Sequence, residues 1–196
     1  PDKWCLNDHG VFGTEGTPIN KGIGWAVFTD GRVKTTDGKG LPRPGRDVLV
    51  APDISALLVS GVAEEGRDLV LVTRRAKVIR LELGTINPQG VAGNGVAGVK
   101  LADPDDQVIA AFTVKDEGAV LSITDGRWKV TSVADIPRKG RGGQGVGFHL
   151  FVKGEDALLA AHYSDTGFEV SGKPVKAETR AKSAVKGTAD WKPVGA

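Results

Sequence analysis

Three cations, Arg138, Lys139 and Arg141, fall in an eleven-residue stretch, 137–147, that also holds five glycines and Gln144. Glycine lets a backbone lie close to a flat anionic surface while guanidinium and ammonium groups reach it, and Gln144 and the loop's own N–H groups can add neutral donors. The chemistry this points to is contact with phosphate. Gly140-x-Gly142-x-x-Gly145 also matches the dinucleotide-binding fingerprint, and Gly93-x-Gly95-x-x-Gly98 repeats the match 47 residues upstream. That fingerprint works only between a strand and a helix whose N-terminus faces pyrophosphate. Here Pro137 precedes the loop and the apolar run from Phe148 to Val152 reads as a strand, so the two matches are read as copies of one structural position.

No residues are expected to assemble a catalytic centre. His9, His149 and His162 have no metal-ligand spacing with one another or with Cys5, and His149, inside an apolar strand, reads as a packed or rim histidine. No nucleophile elbow surrounds any serine. Tyr163 stands at the end of a strand. Asp103, Asp105 and Asp106 lack the spacing of a calcium loop and read as a solvated turn. Trp4, Trp25, Trp128 and Trp191 read as core.

The elements that must position the loop follow from composition. At 196 residues the chain can bury a core, and a single cysteine fits a reducing compartment, with the cytoplasm as the expected location. No apolar run approaches the roughly 20 residues that cross a bilayer, so no membrane partner is expected. The absence of methionine, even at position 1, is expected of a fragment of a longer chain. A net charge of +2 does not establish a nucleic-acid partner, so the argument rests on where the 26 lysines and arginines sit. The apolar stretches are short, β-branched and bounded by Gly, Pro, Asp and Asn, which is the pattern of an all-β chain.

Those stretches repeat. Ala26–Lys34 and Val120–Lys129 are both hairpins with an Asp-Gly turn, and Leu69–Val78 reads as the same hairpin with one extra turn residue. Each is followed by a Pro/Gly box, a short apolar run and a closing strand, and each unit ends on a glycine, at Gly66, Gly118 and Gly167. Units of about 40 to 50 residues with four strands are expected to pack face to face as propeller-like blades; a sandwich is the alternative. The blades are placed at 25–66, 67–118 and 119–167, with partial units at 1–24 and 168–196, about four blades in one domain spanning 1–196. Strand alternation puts Leu121, Ile123, Trp128 and Val130 on one face and Arg127 and Lys129 on the other, with Arg32, Lys34 and Lys77 at matching places. A basic stripe along the array is expected, with solvated strand faces as the alternative. Its first members are Arg138, Lys139, Arg141 and Gln144; Lys153, Lys129, Arg127, Lys100, Lys77, Arg74, Arg75, Arg43 and Arg46 stand behind them.

These residues resemble a known family. The repeat, best from Asp68 to Ala161, and the motifs Val72-Thr73 through Arg80, Pro88-Gln89-Gly90 through Leu101, and Ile136-Pro137-Arg138-Lys139-Gly140-Arg141 through Asp156 are similar to the C-terminal β-pinwheel domain of type IIA DNA topoisomerase A subunits, most of all the topoisomerase IV A subunit of actinobacteria. The resemblance implies a disc of antiparallel blades whose rim binds and bends double-stranded DNA with little sequence preference. It implies no catalytic residue and no cofactor in this fragment. The parent enzyme would use ATP and Mg2+, and the partners would be the ATPase B subunit together with the rest of the A subunit, in a nucleoid-associated cytoplasmic enzyme. The gyrase relatives carry a box of Gln, Arg or Lys, Arg-Gly-Gly, Arg or Lys, then Gly, needed there for wrapping. This chain shares Arg141, Gly142, Gly143 and Gly145 with it but has Lys139, Gly140 and Gln144 at the other places, which favours topoisomerase IV over gyrase. A gyrase domain seen in part and a propeller for protein contact are the alternatives.

Overall fold

The structure, a computed structural model, describes residues 22–35, 56–64, 66–89, 93–177, 184–186 and 190–193. The first unit gives strands β1 (Gly22–Phe28), β2 (Arg32–Thr35) and β3 (Leu57–Glu64). The second gives β4 (Asp68–Thr73), β5 (Lys77–Glu82), the two-residue β6 (Val96–Ala97) and β7 (Val108–Val114). The third repeats it with β8 (Ala119–Thr124), β9 (Arg127–Ser132), β10 (Val146–Gly147) and β11 (Ala160–Ser164). The fourth gives β12 (Gly167–Val170), β13 (Lys173–Lys176), β14 (Val185–Lys186) and β15 (Trp191–Pro193).

All named pairings are antiparallel, and the chain is an all-β pinwheel. The sheets run in the orders β3-β1-β2-β6, β10-β5-β4-β7, β11-β8-β9-β14 and β13-β12-β15. The two-residue strands of the second, third and fourth units therefore leave their own unit and complete the blade before it. Val96 pairs with Val33, Val146 with Val78 and Val185 with Trp128. A blade is thus not the contiguous stretch that the sequence repeat suggests. The repeat marks the period correctly, but pairing partners two residues long carry no local signal of which hairpin they join.

Hairpin chemistry sets the turns. Gly31 and Gly126 adopt left-handed φ of 87° and 93°, and Ala76 takes the same role at 58°. The turns 29–31 and 74–76 are equally long, so the extra residue expected in the second hairpin sets it apart only from the third. From the turn along the second hairpin strand, Gly31, Val33 and Thr35 direct their backbone groups outward: Gly98 donates to the Gly31 carbonyl at 2.9 Å and Gln89 to that of Thr35 at 2.9 Å. In the fourth sheet the place of Val33 is taken by Pro174, opposite Glu169. Proline has no N–H to offer a further strand, and it fits an edge whose donor side faces away from the ladder.

Blades stack face to face, so the central strands are interior on both faces. All six residues of β4 are buried, and Leu69 and Leu71 pack toward the first blade while Val70 and Val72 pack toward the third. Each such aliphatic side chain contributes about 1.5 to 3 kcal/mol when fully buried. The inner strands converge on one apolar cavity of about 400 Å3, lined among others by Leu58, Ile109, Phe112, Tyr163, His162 and Trp191. The opposite edge of each sheet, carrying β6, β10 or β14, is consequently the outer one.

Candidate nucleic-acid interface

The glycine-rich loop leaves that outer edge. Lys139 donates its amide to the Arg80 carbonyl at 2.9 Å, and Val146 stands opposite Val78 on the same strand. The loop's two feet are therefore two residues apart on β5, and 140–145 must project outward. Gly145 makes the return possible: its φ is +69°, and a Cβ there would lie 2.7 Å from the Val78 oxygen. The second unit is built alike, with Gln89 on Thr35 and Val96 opposite Val33. The two glycine-rich loops are one structural position, but Gly95 answers to Gly145 and Val96 to Val146. The two fingerprint matches, which would align Gly95 with Gly142, are therefore not copies of each other. The strand entered is Val96–Ala97 or Val146–Gly147, and the run Phe148 to Val152, expected as a strand, is not one.

Successive loops also touch. Gly142 donates to the Gly98 carbonyl at 2.7 Å, and Lys100 donates to that of Gly143 at 2.8 Å. That docking sets Lys100 against the loop at Gly143. Lys139, Arg141, Gln144 and Lys100 are exposed, and Lys77 is half-buried opposite Gly147. Among the described residues no ion pair or hydrogen bond engages the side chains of these five, although the Lys77 amide donates to Thr73 Oγ1 at 3.3 Å. They form one cationic segment of rim over a backbone that presents Gly140, Gly142 and Gly143 without side chains.

Arg138 is placed differently. Its Nε donates to Asp68 Oδ2 at 2.7 Å and its second guanidinium nitrogen to Asp116 Oδ1 at 3.3 Å. Asp68 and Asp116 are also bound by Arg80, which in addition donates to the Val133 carbonyl at 3.2 Å. The result is a quartet of two arginines and two aspartates at the first foot of the loop. Arg80 hydrogen bonding and the charges of both arginines hold the Asp116 carboxyl below its ordinary range, and the Asp68 carboxylate raises Arg138. Asp68, Arg80 and Asp116 escaped the sequence reading. The available signal was Arg80 itself, a charge inside the apolar run Val78–Leu81, where it needs partners.

The remaining expected residues lie elsewhere. The basic strand face derived from alternation is largely covered by the neighbouring blade, and of its members only Lys77 joins the rim. Lys129 points inward and donates to the Phe148 carbonyl at 2.6 Å, and burial lowers its pKa. Lys34 is buried and donates to the Gly93 carbonyl at 2.8 Å. Arg127 is half-buried, 3.7 Å from Glu155, with a donor bond to the Ala184 carbonyl. Arg75 is held by Asp103 at 3.4 Å and by the Asp156 carbonyl at 2.9 Å, so the hairpin-turn end it shares with exposed Arg74 is of mixed charge. Lys153 is exposed on the link that follows β10. Arg43 and Arg46, with the whole segment 1–21, lie outside the described residues.

The other chemical candidates are structural. His149 is buried, its Nδ1 is 2.8 Å from Ser122 Oγ, and burial lowers its pKa. Tyr163 donates to the Glu117 carbonyl at 3.2 Å, stacks on Phe112, and has its pKa raised by burial, the opposite of an activated nucleophile. Asp106 accepts from the amides of Arg75, Ala102 and Gln107, which makes it a turn cap. No group of three potential metal ligands occurs among the described residues. Among the same residues no helix is long and apolar enough to cross a membrane.

The family model described as the DNA gyrase C-terminal domain, beta-propeller, matches residues 67–115 and 124–146. The chain is 57% identical over 188 residues to the topoisomerase subunit TopoM of Mycolicibacterium smegmatis, covering 94% of this chain and 26% of that protein. It is 33% identical over 95 residues to the DNA gyrase A subunit of Deinococcus deserti, covering 46% of this chain and 12% of that one. The chain thus spans about a quarter or less of the length of these relatives. A crystal structure of the C-terminal domain of DNA topoisomerase IV superposes with a TM-score of 0.69 at 14% identity, over 90% of this chain and 59% of that chain.

Proposed function

Because the chain belongs to the C-terminal β-pinwheel domains of type IIA DNA topoisomerase A subunits, we propose that it is the duplex-guiding domain of such an enzyme. A DNA segment lies along the outer edge of the blades and is bent there on its way to strand passage. The observation that carries this reading is the loop 139–145 with Lys100 at its side: exposed, unpaired cations over bare glycine backbone on the outward edge. Lys139, Arg141 and Lys100 meet phosphates, and Gln144 and loop amides add hydrogen bonds. Such contacts position a duplex without reading bases, so sequence preference is weak and bendability matters.

The parent enzyme would hydrolyse ATP with Mg2+, pair with a B subunit, and act on the nucleoid in the cytoplasm. The cleavage tyrosine would lie elsewhere in that parent, since Tyr163 is stacked and hydrogen-bonded to the fold. A topoisomerase IV type of activity is favoured over gyrase because Lys139, Gly140 and Gln144 depart from the wrapping box, leaving fewer cations on the loop than the box supplies. The test is duplex binding by the full chain against salt concentration, with Lys139→Gln/Arg141→Gln beside the unmodified protein. Removing two phosphate contacts lowers the slope of log K against log salt by about 2. An unchanged slope and affinity would remove the loop from any DNA path.

A further inference from the structure

The cations of the loop divide into two classes. Lys139 and Arg141 are unpaired and exposed, whereas Arg138 spends both of its described contacts on carboxylates of the preceding unit. Summed over Asp68, Arg80, Asp116 and Arg138, the formal charge at this foot is zero. We propose that Arg138 is a positioning residue, and that with Asp68, Arg80 and Asp116 it clamps the first foot of the loop so that Lys139 and Arg141 are held out toward phosphate.

The need for a clamp is physical. Four glycines among 140–145 leave the loop with large backbone entropy to lose, and a loop free to sample many poses would lose it on binding DNA. The second foot is already fixed by the β5–β10 ladder, at Val146 and Gly147. The first foot has only the Lys139 amide on the Arg80 carbonyl and, one residue earlier, the short bridge between Arg80 and Arg138. Arg80 thus holds the foot by its backbone, and its side chain holds the two carboxylates that Arg138 binds. Asp68 is 1% exposed and accepts from both arginines through one oxygen, so the pairing is screened little by water and tolerates little change of shape. A planar guanidinium can reach Asp68 and Asp116 together with fixed geometry, which a lysine ammonium cannot match.

Among the described residues the clamp occurs at this loop alone. The counterparts of Arg80 in the neighbouring hairpins are Thr35 and Val130, and the counterpart of Arg138 in the second unit is Pro88. Where the loop carries outward cations it is ionically anchored, and where it does not, the anchor is absent.

The inference rests on the DNA reading above, and opposite signs separate it from the simpler idea that Arg138 itself touches phosphate. Asp116→Asn makes the chain more positive by one charge. If Arg138 is a phosphate contact, freeing it from a competing carboxylate raises duplex affinity; if it positions the loop, affinity falls, by about two- to five-fold, the size of one partly exposed ion pair. Arg138→Lys keeps the charge. A phosphate contact predicts binding near that of the unmodified chain, whereas positioning predicts a loss close to that of Arg138→Gln. Asp116 is 75% exposed, so its variant tests the clamp without opening the core.

The accompanying measurement is hydrogen exchange of the amides of 139–145 in the full chain without DNA, expected to quicken in both variants. Tighter binding by Asp116→Asn, unmodified binding by Arg138→Lys, or unchanged exchange overturns the clamp. Failure of the DNA reading looks different: Lys139→Gln/Arg141→Gln then binds duplex like the unmodified chain, whatever the exchange shows.

Discussion

The loop delimited by Gln89, Gly93 and Gly95 and the loop 138–145 occupy the same place on successive hairpins and are stabilised by opposite means. In the earlier loop the fastenings are neutral or point inward: the Gln89 side chain accepts from the Gly95 amide at 2.8 Å, and the ammonium of buried Lys34 rises from below to the Gly93 carbonyl. In the later loop the place of Lys34 is taken by Ile79, whose Cδ1 lies beneath Gly143, and the fastening is the ionic quartet at its foot. One loop consumes its cation to hold itself. The other is held from outside and keeps Lys139 and Arg141 for solvent or ligand. Equivalent backbones can therefore carry different chemistry, and a basic residue in a repeat says little until its floor is known.

The largest effect expected from breaking this contrast is at Asp68. Asp68→Ala leaves buried Arg80 without its main partner and should cost about 3 kcal/mol or more in urea unfolding. At the matching hairpin of the first unit, Thr35→Val removes only a neutral bond to the Ile86 carbonyl and should cost about 1 kcal/mol. Equal costs would mean that the quartet adds nothing beyond an ordinary hydrogen bond.

Backbone shape, by contrast, should not distinguish the loops. Gly95→Ala and Gly145→Ala force a Cβ to within 2.9 and 2.7 Å of a β-strand carbonyl at positive φ, and each should lose about 1 to 3 kcal/mol. Gly140→Ala meets open space and should stay within about 0.5 kcal/mol. A tolerant Gly145 would contradict the two-footed projection from β5.

Gln89→Ala sharpens the functional side. It should cost the earlier loop about 1 kcal/mol in thermal unfolding while leaving the salt slope of duplex binding unchanged, unlike the substitution of Lys139 and Arg141. The smallest effect is on pH. Burial lowers the pKa of His149, and also that of His162, below 6.5, so the unfolded chain binds those protons first. Stability should then fall as pH drops through and below 6.5, and it should be regained above it. Melting temperatures between about pH 5 and 8 would check the sign, and His149→Asn should flatten the curve.

How much was legible is seen in particular residues. The hairpins were readable because Asp30-Gly31 and Asp125-Gly126 are turn chemistry flanked by apolar residues, and the closing glycines Gly66, Gly118 and Gly167 all adopt positive φ. That both glycine-rich stretches precede a short strand was readable, but their register was not, because the fingerprint spacing aligns Gly95 with Gly142 while strand pairing aligns it with Gly145. The inward turn of Lys34 and Lys129 was not, because alternation separates two faces of a strand without saying that a neighbouring blade covers both. Nor was the pairing of Arg138, whose partners stand 70 and 22 residues away.

The sequence by itself determined the period, the turns and the glycine path of the rim, since each depends on backbone preferences within a few residues. Tertiary structure alone decided which hairpin receives each two-residue strand and which cations remain unpaired. Those outcomes depend on contacts between units, where desolvation and charge pairing act across distances along the chain that no local pattern records.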